Sequence, residues 1–447
     1  MILTQKRPTK QIDDFNKRFN HQPAFLQAIT EVWEDVHPFI EAHPKYQDIP
    51  VFERLIRPDQ VLTFTVPWVD DDGSYQLNTG FRVQMSSALG PYKGGLRFAP
   101  GLNEGVLKFL AFEQSFKNAL TGLPLGSGKG GADFNPKGKS DQEIMRFCQA
   151  FITQLYHHIG GNWDVPAGDM GVGSQELGYL YGHYKRLTHR HEGVITGKPL
   201  AVGGIQFREE ATGYGSVLFA RHMLQSTDED LEGKTAVVSG AGNVAIYTVE
   251  KLIACGATVL AMSDSGGSLS VPAGINAEKL EVIKQIKLER NGSLKDFPAE
   301  FEATFYEEES PWGIKADCAF PSATQNELGE SEANLLVENE YQLVCEGANM
   351  PLTSRAQQII REAGLLYGPG KAANAGGVAM SGMEMAQHRR IIPFTREEAS
   401  QELEKLIQHI FESCVEYGKS DGMLDLKKGA NVAGFVRLAD AIIHQGW

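Results

Sequence analysis

Thr235-Ala236-Val237-Val238-Ser239-Gly240-Ala241-Gly242-Asn243-Val244-Ala245 is the stretch on which the fold turns. A short run of small and β-branched apolar residues, as a buried strand uses, passes directly into closely spaced glycines. The pattern continues as a helix to about Cys255, Gly256 stops it, and Ala257 to Met262 reads as a second strand followed by the acid Asp264. Strand, glycine turn, helix, strand and acid form the plan of a dinucleotide-binding unit, with the pyrophosphate at the helix N-terminus. Gly240, Gly242, Asn243, Val244 and Asp264 are therefore candidate cofactor contacts. Ala245 stands where the third glycine of that plan is usual. A methyl is tolerated there because the position requires only close helix–strand packing.

Working outward, residues 209–225 read as a helix and 316–319 and 342–345 as short strands, so the α/β alternation continues. Those strands end in Pro321-Ser322 and Gly347-Ala348-Asn349, where an open sheet presents ligand contacts. Helices at 395–417 and 431–445 finish the chain. Upstream the character differs. Residues 12–42 carry helical periodicity, and 61–68 and 76–86 read as a hairpin about Asp71-Asp72-Gly73-Ser74. A helix over 103–120 starts at the cap Asn103, and one over 141–159 starts with a Ser140/Glu143 capping box. The expected fold class is α/β with two domains: an N-terminal α/β domain over 1–201 and a Rossmann-like domain over 202–424.

The net charge of −14 over 447 residues argues against nucleic-acid binding, which needs a basic face. Five scattered cysteines with no CxxC pair indicate neither a disulfide framework nor a cysteine-rich zinc site, and suit a reducing cytoplasm. The N-terminus lacks the apolar core of a signal peptide, and no apolar run is long enough to span a membrane.

The chemistry concentrates in Leu123-Pro124-Leu125-Gly126-Ser127-Gly128-Lys129-Gly130-Gly131-Ala132-Asp133, read as a glycine-dense loop around one lysine. Glycines let a substrate approach the backbone, and apolar surroundings lower an ammonium pKa, so Lys129 suits proton transfer or carbonyl polarisation. A nucleotide P-loop is excluded: Leu123 stands where its first glycine belongs and Gly130 where its hydroxyl belongs. Lys93 lies in Gly90-Pro91-Tyr92-Lys93-Gly94-Gly95, and Asp169 in Asp164-Val165-Pro166-Ala167-Gly168-Asp169, both read as glycine-rich turns. Gln114 and Lys117, three apart, share a helix face. Three lysines and an aspartate suit a small dianionic amino or oxo acid. The histidines have no partners at metal-ligand spacing, so no metal is expected. Asp264 favours NAD, whereas Ser265, Lys287 and Arg290 are small and basic residues able to receive a 2′-phosphate.

The segments GPYKGGLRF (90–98), FEQSFKNALTGLPLGSGKGGADFNPKG (112–138), DVPAGDMGVG (164–173), EATGYG (210–215), SGAGNVA (239–245), PSATQNEL (321–328), EGANMP (346–351) and PGKAANAGGVAMSGMEMAQ (369–387) together resemble the hexameric glutamate dehydrogenases, within the Glu/Leu/Phe/Val dehydrogenase family. The resemblance covers nearly the full length. One departure is Ser127, where that family has a run of three glycines. The resemblance implies that Lys129 activates the 2-oxo carbon and that Asp169 moves protons on the amine. It further implies that Lys93 and Ser381 hold the γ-carboxylate, Gln114 and Lys117 the α-carboxylate, and the backbone at Gly168 the amino group. Thr212 and Asn243 would then contact the dinucleotide, with Asn374 near the nicotinamide and Ser265, Lys287 and Arg290 at the 2′-phosphate. The implied cofactor is NADP, with NAD as the alternative. The implied partners are L-glutamate, 2-oxoglutarate and ammonium, and the implied assembly is a homohexamer with helix 425–447 packed back on a first domain that faces the second across a cleft. A sister dehydrogenase for branched-chain or aromatic amino acids should lack Lys93 and Ser381; a non-catalytic dinucleotide sensor should lack Lys129 or Asp169.

Overall fold

The computed structural model describes residues 10–390, 392–420 and 423–446. The first nine residues, part of the stretch read above as lacking a targeting segment, lie outside them. Two compact units emerge: one comprises the residues up to Ile205, Ser381–Phe394 and those from Asn431, the other Gln206–Met380 and Thr395–Ala430. The helix Gly376–Arg390 thus runs from the second unit into the first, and so does the last helix, Leu426–His444, which starts five residues earlier than its periodicity suggests.

The first unit is built on a five-stranded mixed sheet. Its strands are β1 (Gln60–Val69), β2 (Tyr75–Ser86), β3 (Tyr92–Phe98), β4 (Ser127–Ala132) and β5 (Asp164–Gly168), in the order β1-β2-β4-β3-β5. The β1–β2 hairpin forms as the alternation predicts, with Gln60 opposite Gln84 and Val69 opposite Tyr75. β4 runs antiparallel to β2 and parallel to β3, and β3 parallel to β5.

Three expectations are corrected here. The lysine loop is in its centre a strand, β4, buried along its whole length. Lys93 sits in β3 rather than in a turn, and Asp164–Gly168 is β5, so Asp169 follows directly after a strand. The predicted helix over 12–42 breaks into Lys10–Phe19 and Pro23–Ala42, with Pro23 opening the second as a first-turn proline can.

Helix Glu104–Leu120 begins where Asn103 accepts from the Val106 amide, and it packs on β2, β3 and β4. Helix Asp141–Leu155 starts with the Ser140/Glu143 capping box and packs on β1 and on helix Ser174–Thr188. Between the sheet and helix Asp141–Leu155 lies an aromatic core in which Phe134 and Phe147 stack at 3.8 Å while Phe98 meets both edge-on. Edge-on and offset ring pairs contribute beyond their buried area, which stiffens this part of the sheet.

The second unit carries a seven-stranded sheet. Its strands are β6 (Thr235–Val238), β7 (Thr258–Asp264), β8 (Gly267–Ile275), β9 (Thr304–Glu307), β10 (Cys318–Phe320), β11 (Leu343–Cys345) and β12 (Leu366–Gly368), in the order β12-β11-β10-β6-β7-β8-β9. From β12 through to β7 all neighbours are parallel. β8 returns antiparallel through a hairpin at Asp264–Gly267. Counted from β6, this is the doubly wound order with its third strand reversed, and the chain switches direction between β6 and β10. Short β10 and β11 are buried throughout, and β6 in all but its first residue, as suits parallel strands covered by helices.

Candidate active site

Lys129 Nζ lies 3.0 Å from Asp169 Oδ2. They stand on β4 and just past β5, with β3 between them. Leu96 of β3 pairs with Gly130 on one side and with Gly168 on the other. Gly95 therefore occupies the gap between the lysine and the aspartate. A Cβ at Gly95 would meet Gly168 O at 2.7 Å and the Asp169 Cβ at 2.9 Å. The absent side chain is what lets the pair form over the middle strand.

Alternation along β3 directs Lys93, Gly95 and Arg97 to one side of the sheet. Arg97 Nε donates to the same Asp169 oxygen at 3.0 Å. Burial pushes the Asp169 carboxyl up, but Lys129 and Arg97 outweigh it and hold the group down at about 2. Burial lowers the Lys129 ammonium; Asp169 opposes this, and Arg97 and Arg82 add to it, so the net shift is downward. The site thus combines a permanent carboxylate with a cation whose proton is loosened. Arg82, fully buried, pairs with Asp164 at the start of β5, and Gln84 donates to Asp164 at 2.9 Å. That pair ties β2 to β5 across the sheet and backs β4: a Cβ on Gly128 would lie 3.3 Å from the Arg82 guanidinium.

The helix Glu104–Leu120 contributes Gln114 and Lys117. Gln114 Nε2 donates to Asn118 Oδ1 at 2.6 Å, and Asn118 Nδ2 donates to Lys93 O at 3.1 Å and Gly126 O at 2.6 Å. Asn118 thereby fixes the helix to β3 and to the residue just ahead of β4, and Gln114 lies beside Gly94, next to the buried Lys93. Ser381 is buried, and its neighbour Gly382 packs on Leu123 and Leu125 ahead of β4. Ser127 makes a buried 2.6 Å hydroxyl–hydroxyl bond to Ser115 of the helix.

In the second unit, the turn after β6 matches the dinucleotide plan. Gly240 takes φ +86°, its amide donates to Ser263 Oγ at 3.0 Å, and the loop after β10 packs against it. Gly242 is the N-cap of helix Asn243–Ala254, brings no capping side chain, and has open space about it. Gly242 and Asn243 are exposed, so the first helical amides, including those of Asn243 and Val244, face outward as a pyrophosphate site requires. Ala245 is buried without strain; the tight contact on this helix comes from Gly213, whose Cβ would lie 2.6 Å from Val244 O. Thr212 approaches Gly377, and Asn374 Nδ2 donates to Gly347 O, Ala348 O and Asn349 Oδ1, bracing the loop past β11. These loops gather at the carboxyl ends of β6, β10 and β11, so the residues present fit a dinucleotide.

Asp264 stands at the β7–β8 hairpin. Its Oδ1 accepts from the Gly266 amide at 2.9 Å, and its Oδ2 from Lys287 Nζ at 2.9 Å and the Leu294 amide at 2.8 Å. Burial raises this carboxyl, but the Leu294 amide, Lys287 and the Gly266 amide keep it below the usual range. Lys287 lies within a helical segment, Gln285–Glu289, that takes the wider π turn. Ser265 is exposed beside the pair, and exposed Arg290 ends the segment.

Sequence reading missed Arg97, the Arg82–Asp164 pair, Asn118 and Glu346. Reading 92–98 as a strand would have placed Arg97 two steps from Gly95 on the same side. Glu346 is buried after β11, accepts from Tyr367 Oη and the Gly370 amide at 2.7 Å each, and burial raises it to about 7.

An open doubly wound sheet with a dinucleotide turn, joined in one chain to a lysine–aspartate pair among further lysines, defines a nicotinamide-dependent oxidoreductase of amino or oxo acids. The chain belongs to the Glutamate/Leucine/Phenylalanine/Valine dehydrogenase family, whose model matches residues 203–446, with the Glu/Leu/Phe/Val dehydrogenase dimerisation domain at 58–186. It is 49% identical to the NAD(P)-specific glutamate dehydrogenase of Xylanibacter ruminicola, over 98% of this chain and 99% of that one. It is also 49% identical to the NADP-specific glutamate dehydrogenase of Psychrobacter sp. strain TAD1, with the same coverage. The crystal structure of Plasmodium falciparum glutamate dehydrogenase, 44% identical, superposes with a TM-score of 0.95 over 100% of this chain and 98% of that one.

Proposed function

We propose that the protein catalyses the reversible oxidative deamination of L-glutamate with NADP(H), in the service of ammonium assimilation. In the aminating direction 2-oxoglutarate, ammonium, NADPH and a proton give L-glutamate, NADP and water. The observation that carries the reading is the Lys129–Asp169 pair on a sheet that also bears Lys93.

Lys129, its ammonium destabilised by burial, donates a hydrogen bond to the 2-oxo oxygen and makes the carbon more electrophilic. After ammonia adds, Lys129 supplies the proton with which water departs, leaving an iminium. Asp169, ionised throughout the working range, takes a proton from bound ammonium, so that ammonia can attack the 2-oxo carbon, and later exchanges protons on the product amine. Lys93 and Ser381 hold the γ-carboxylate, and Gln114 and Lys117 hold the α-carboxylate; the Gly168 backbone seats the amino group. These fixed contacts turn encounter into an oriented, nearly unimolecular step. NADPH supplies the hydride when bound. Gly240, Gly242, Asn243 and Val244 hold its pyrophosphate side, Thr212 and Asn374 its nicotinamide side, and Ser265, Lys287 and Arg290 its 2′-phosphate, with Lys287 neutralising Asp264.

We assign residues 1–201 with the last helix to substrate binding and assembly, and 202–424 to the cofactor. A homohexamer is the proposed assembly, supported by the dimerisation-domain match, and the cytoplasm the proposed location. Among the described residues no helix is long and apolar enough to cross a membrane.

The test is absorbance at the reduced-nicotinamide band with 2-oxoglutarate and ammonium. Rapid oxidation of NADPH, with NADH much slower, is expected; silence with both cofactors overturns the reading.

A further inference from the structure

Lys198 and Glu384 form a buried ion pair in the first unit, 2.5 Å between Nζ and Oε1, with both side chains almost wholly out of water. The pair makes further hydrogen bonds. Lys198 Nζ also donates to Ile195 O at 2.5 Å, and the Gly197 amide donates to Glu384 Oε2 at 2.7 Å. The Tyr181 ring lies 5.3 Å from the ammonium. Two buried charges give little net stability over apolar side chains of the same volume, so stability alone does not account for them.

Their placement suggests a different task. Glu384 lies three residues beyond Ser381 on helix Gly376–Arg390, on the same helical face. The segment it grips, Ile195–Lys198, is bound to β5: the Thr196 amide donates to Pro166 O at 3.0 Å. β5 leads directly to Gly168 and Asp169. A continuous chain of contacts therefore runs from the helix of Ser381, through Glu384, Gly197 and Thr196, to the strand that presents Asp169.

We infer that Lys198 and Glu384 are positioning residues. They fix the helix bearing Ser381 against β5, and so set the span between the group that holds the distal carboxylate and the group that acts on the amine. This rests on the function proposed above, and it makes the pair a device for selecting the length of a dicarboxylic substrate.

The test uses the full-length double variant K198M/E384L, which replaces both charges with apolar side chains of similar size, and E384Q, which keeps an acceptor for Gly197. The double variant is expected to unfold within a few degrees of the parent, because no buried charge is left unpaired. Its KM for 2-oxoglutarate should rise about tenfold with kcat little changed, as lost ground-state binding requires. Its KM for NADPH and ammonium should stay put, and its preference for 2-oxoglutarate over the one-carbon-shorter oxaloacetate should shrink. E384Q should move in the same direction by less. An unchanged KM for 2-oxoglutarate in both folded variants overturns the inference, as does an equal rise for all three substrates. Should the double variant not fold, E384Q alone decides between these outcomes. A parent protein inactive on 2-oxoglutarate would instead remove the functional reading on which the inference stands.

Discussion

Lys129 and Asp169 meet at 3.0 Å across a strand that contributes nothing but a glycine between them. They come from β4 and the end of β5, forty residues apart in sequence, and their approach depends on the bare backbone at Gly95. Arg97, two residues further along β3, shares the same carboxylate oxygen. A site in which one anion is contacted by two cations has a cation in surplus, and the surplus proton is the one Lys129 can give up.

Gly95→Ala is the sharpest probe of that geometry. The methyl would sit 2.7 Å from Gly168 O, a backbone atom that cannot rotate away. Displacement of Asp169 by some tenths of an ångström should follow, with kcat reduced about a hundredfold. NADPH affinity, which the proposed assignment gives to the other unit, should remain at the parent value. Steady-state kinetics with fluorescence titration of NADPH checks both; a kcat near that of the parent contradicts the arrangement.

Lys129→Ala should abolish measurable turnover, a loss of at least about a thousandfold, because under the proposed mechanism it removes both the group that polarises the 2-oxo carbon and the proton donor. NADP(H) binding should be largely spared. Near-normal activity would remove Lys129 from the mechanism.

The depressed Asp169 carboxyl makes a prediction about acid stability. Its value falls from 3.8 to about 2 on folding, so its ionised form is favoured in the native state. The stabilisation is complete above the unfolded value and is lost as pH falls from about 4 towards 2. It amounts to about 2 kcal/mol. Denaturant unfolding of the parent and of Asp169→Asn, compared across that window, should show their stability difference shrinking with acid. A pH-independent difference would contradict the ion pair.

The dinucleotide unit was legible because its signals are local: β6, the glycines, the helix and Asp264 lie within thirty residues, and their order alone specifies the plan. The N-terminal sheet was half legible. β1 and β2 alternate and so read as strands; β3, β4 and β5 read as turns because glycines and Pro166 interrupt YKGGLRF, SGKGGA and DVPAG. Their glycines are there for close strand contact rather than for turning: a Cβ on Gly131 would lie 1.9 Å from Arg97 O. The residue types of the candidate site were visible in those motifs. Arg97 and the Arg82–Asp164 pair were not, since their partners are 72 and 82 residues away.

Ser127 gives this chain a bond that a glycine there could not make. Its hydroxyl is buried against Ser115 at 2.6 Å and ties the strand of Lys129 to the helix of Gln114. Ser127→Gly should cost about 1 kcal/mol, since Ser115 keeps its bond to Ala111 O and no buried group is orphaned. Denaturant unfolding measures the loss. An unchanged midpoint would mean that the hydroxyl pair adds nothing to the packing of β4.

Lys287 should carry much of the choice between the two nicotinamide cofactors. In the structure it neutralises Asp264, whose two oxygens are also bound by the amides of Gly266 and Leu294. A carboxylate engaged in this way is a poor acceptor for a ribose hydroxyl, and in the proposed site its lysine meets the 2′-phosphate at the same place. Replacing Lys287 with alanine removes a charge-assisted contact, which corresponds to about a tenfold rise or more in the KM for NADPH. The KM for NADH should change little, because that cofactor offers no 2′-phosphate. Asp264, released from its cation but still held by two amides, should then repel the phosphate and widen the difference. Kinetics with both cofactors on Lys287→Ala distinguish the outcomes: equal losses for NADPH and NADH would make Lys287 a structural brace of the β7–β8 hairpin instead of a selector.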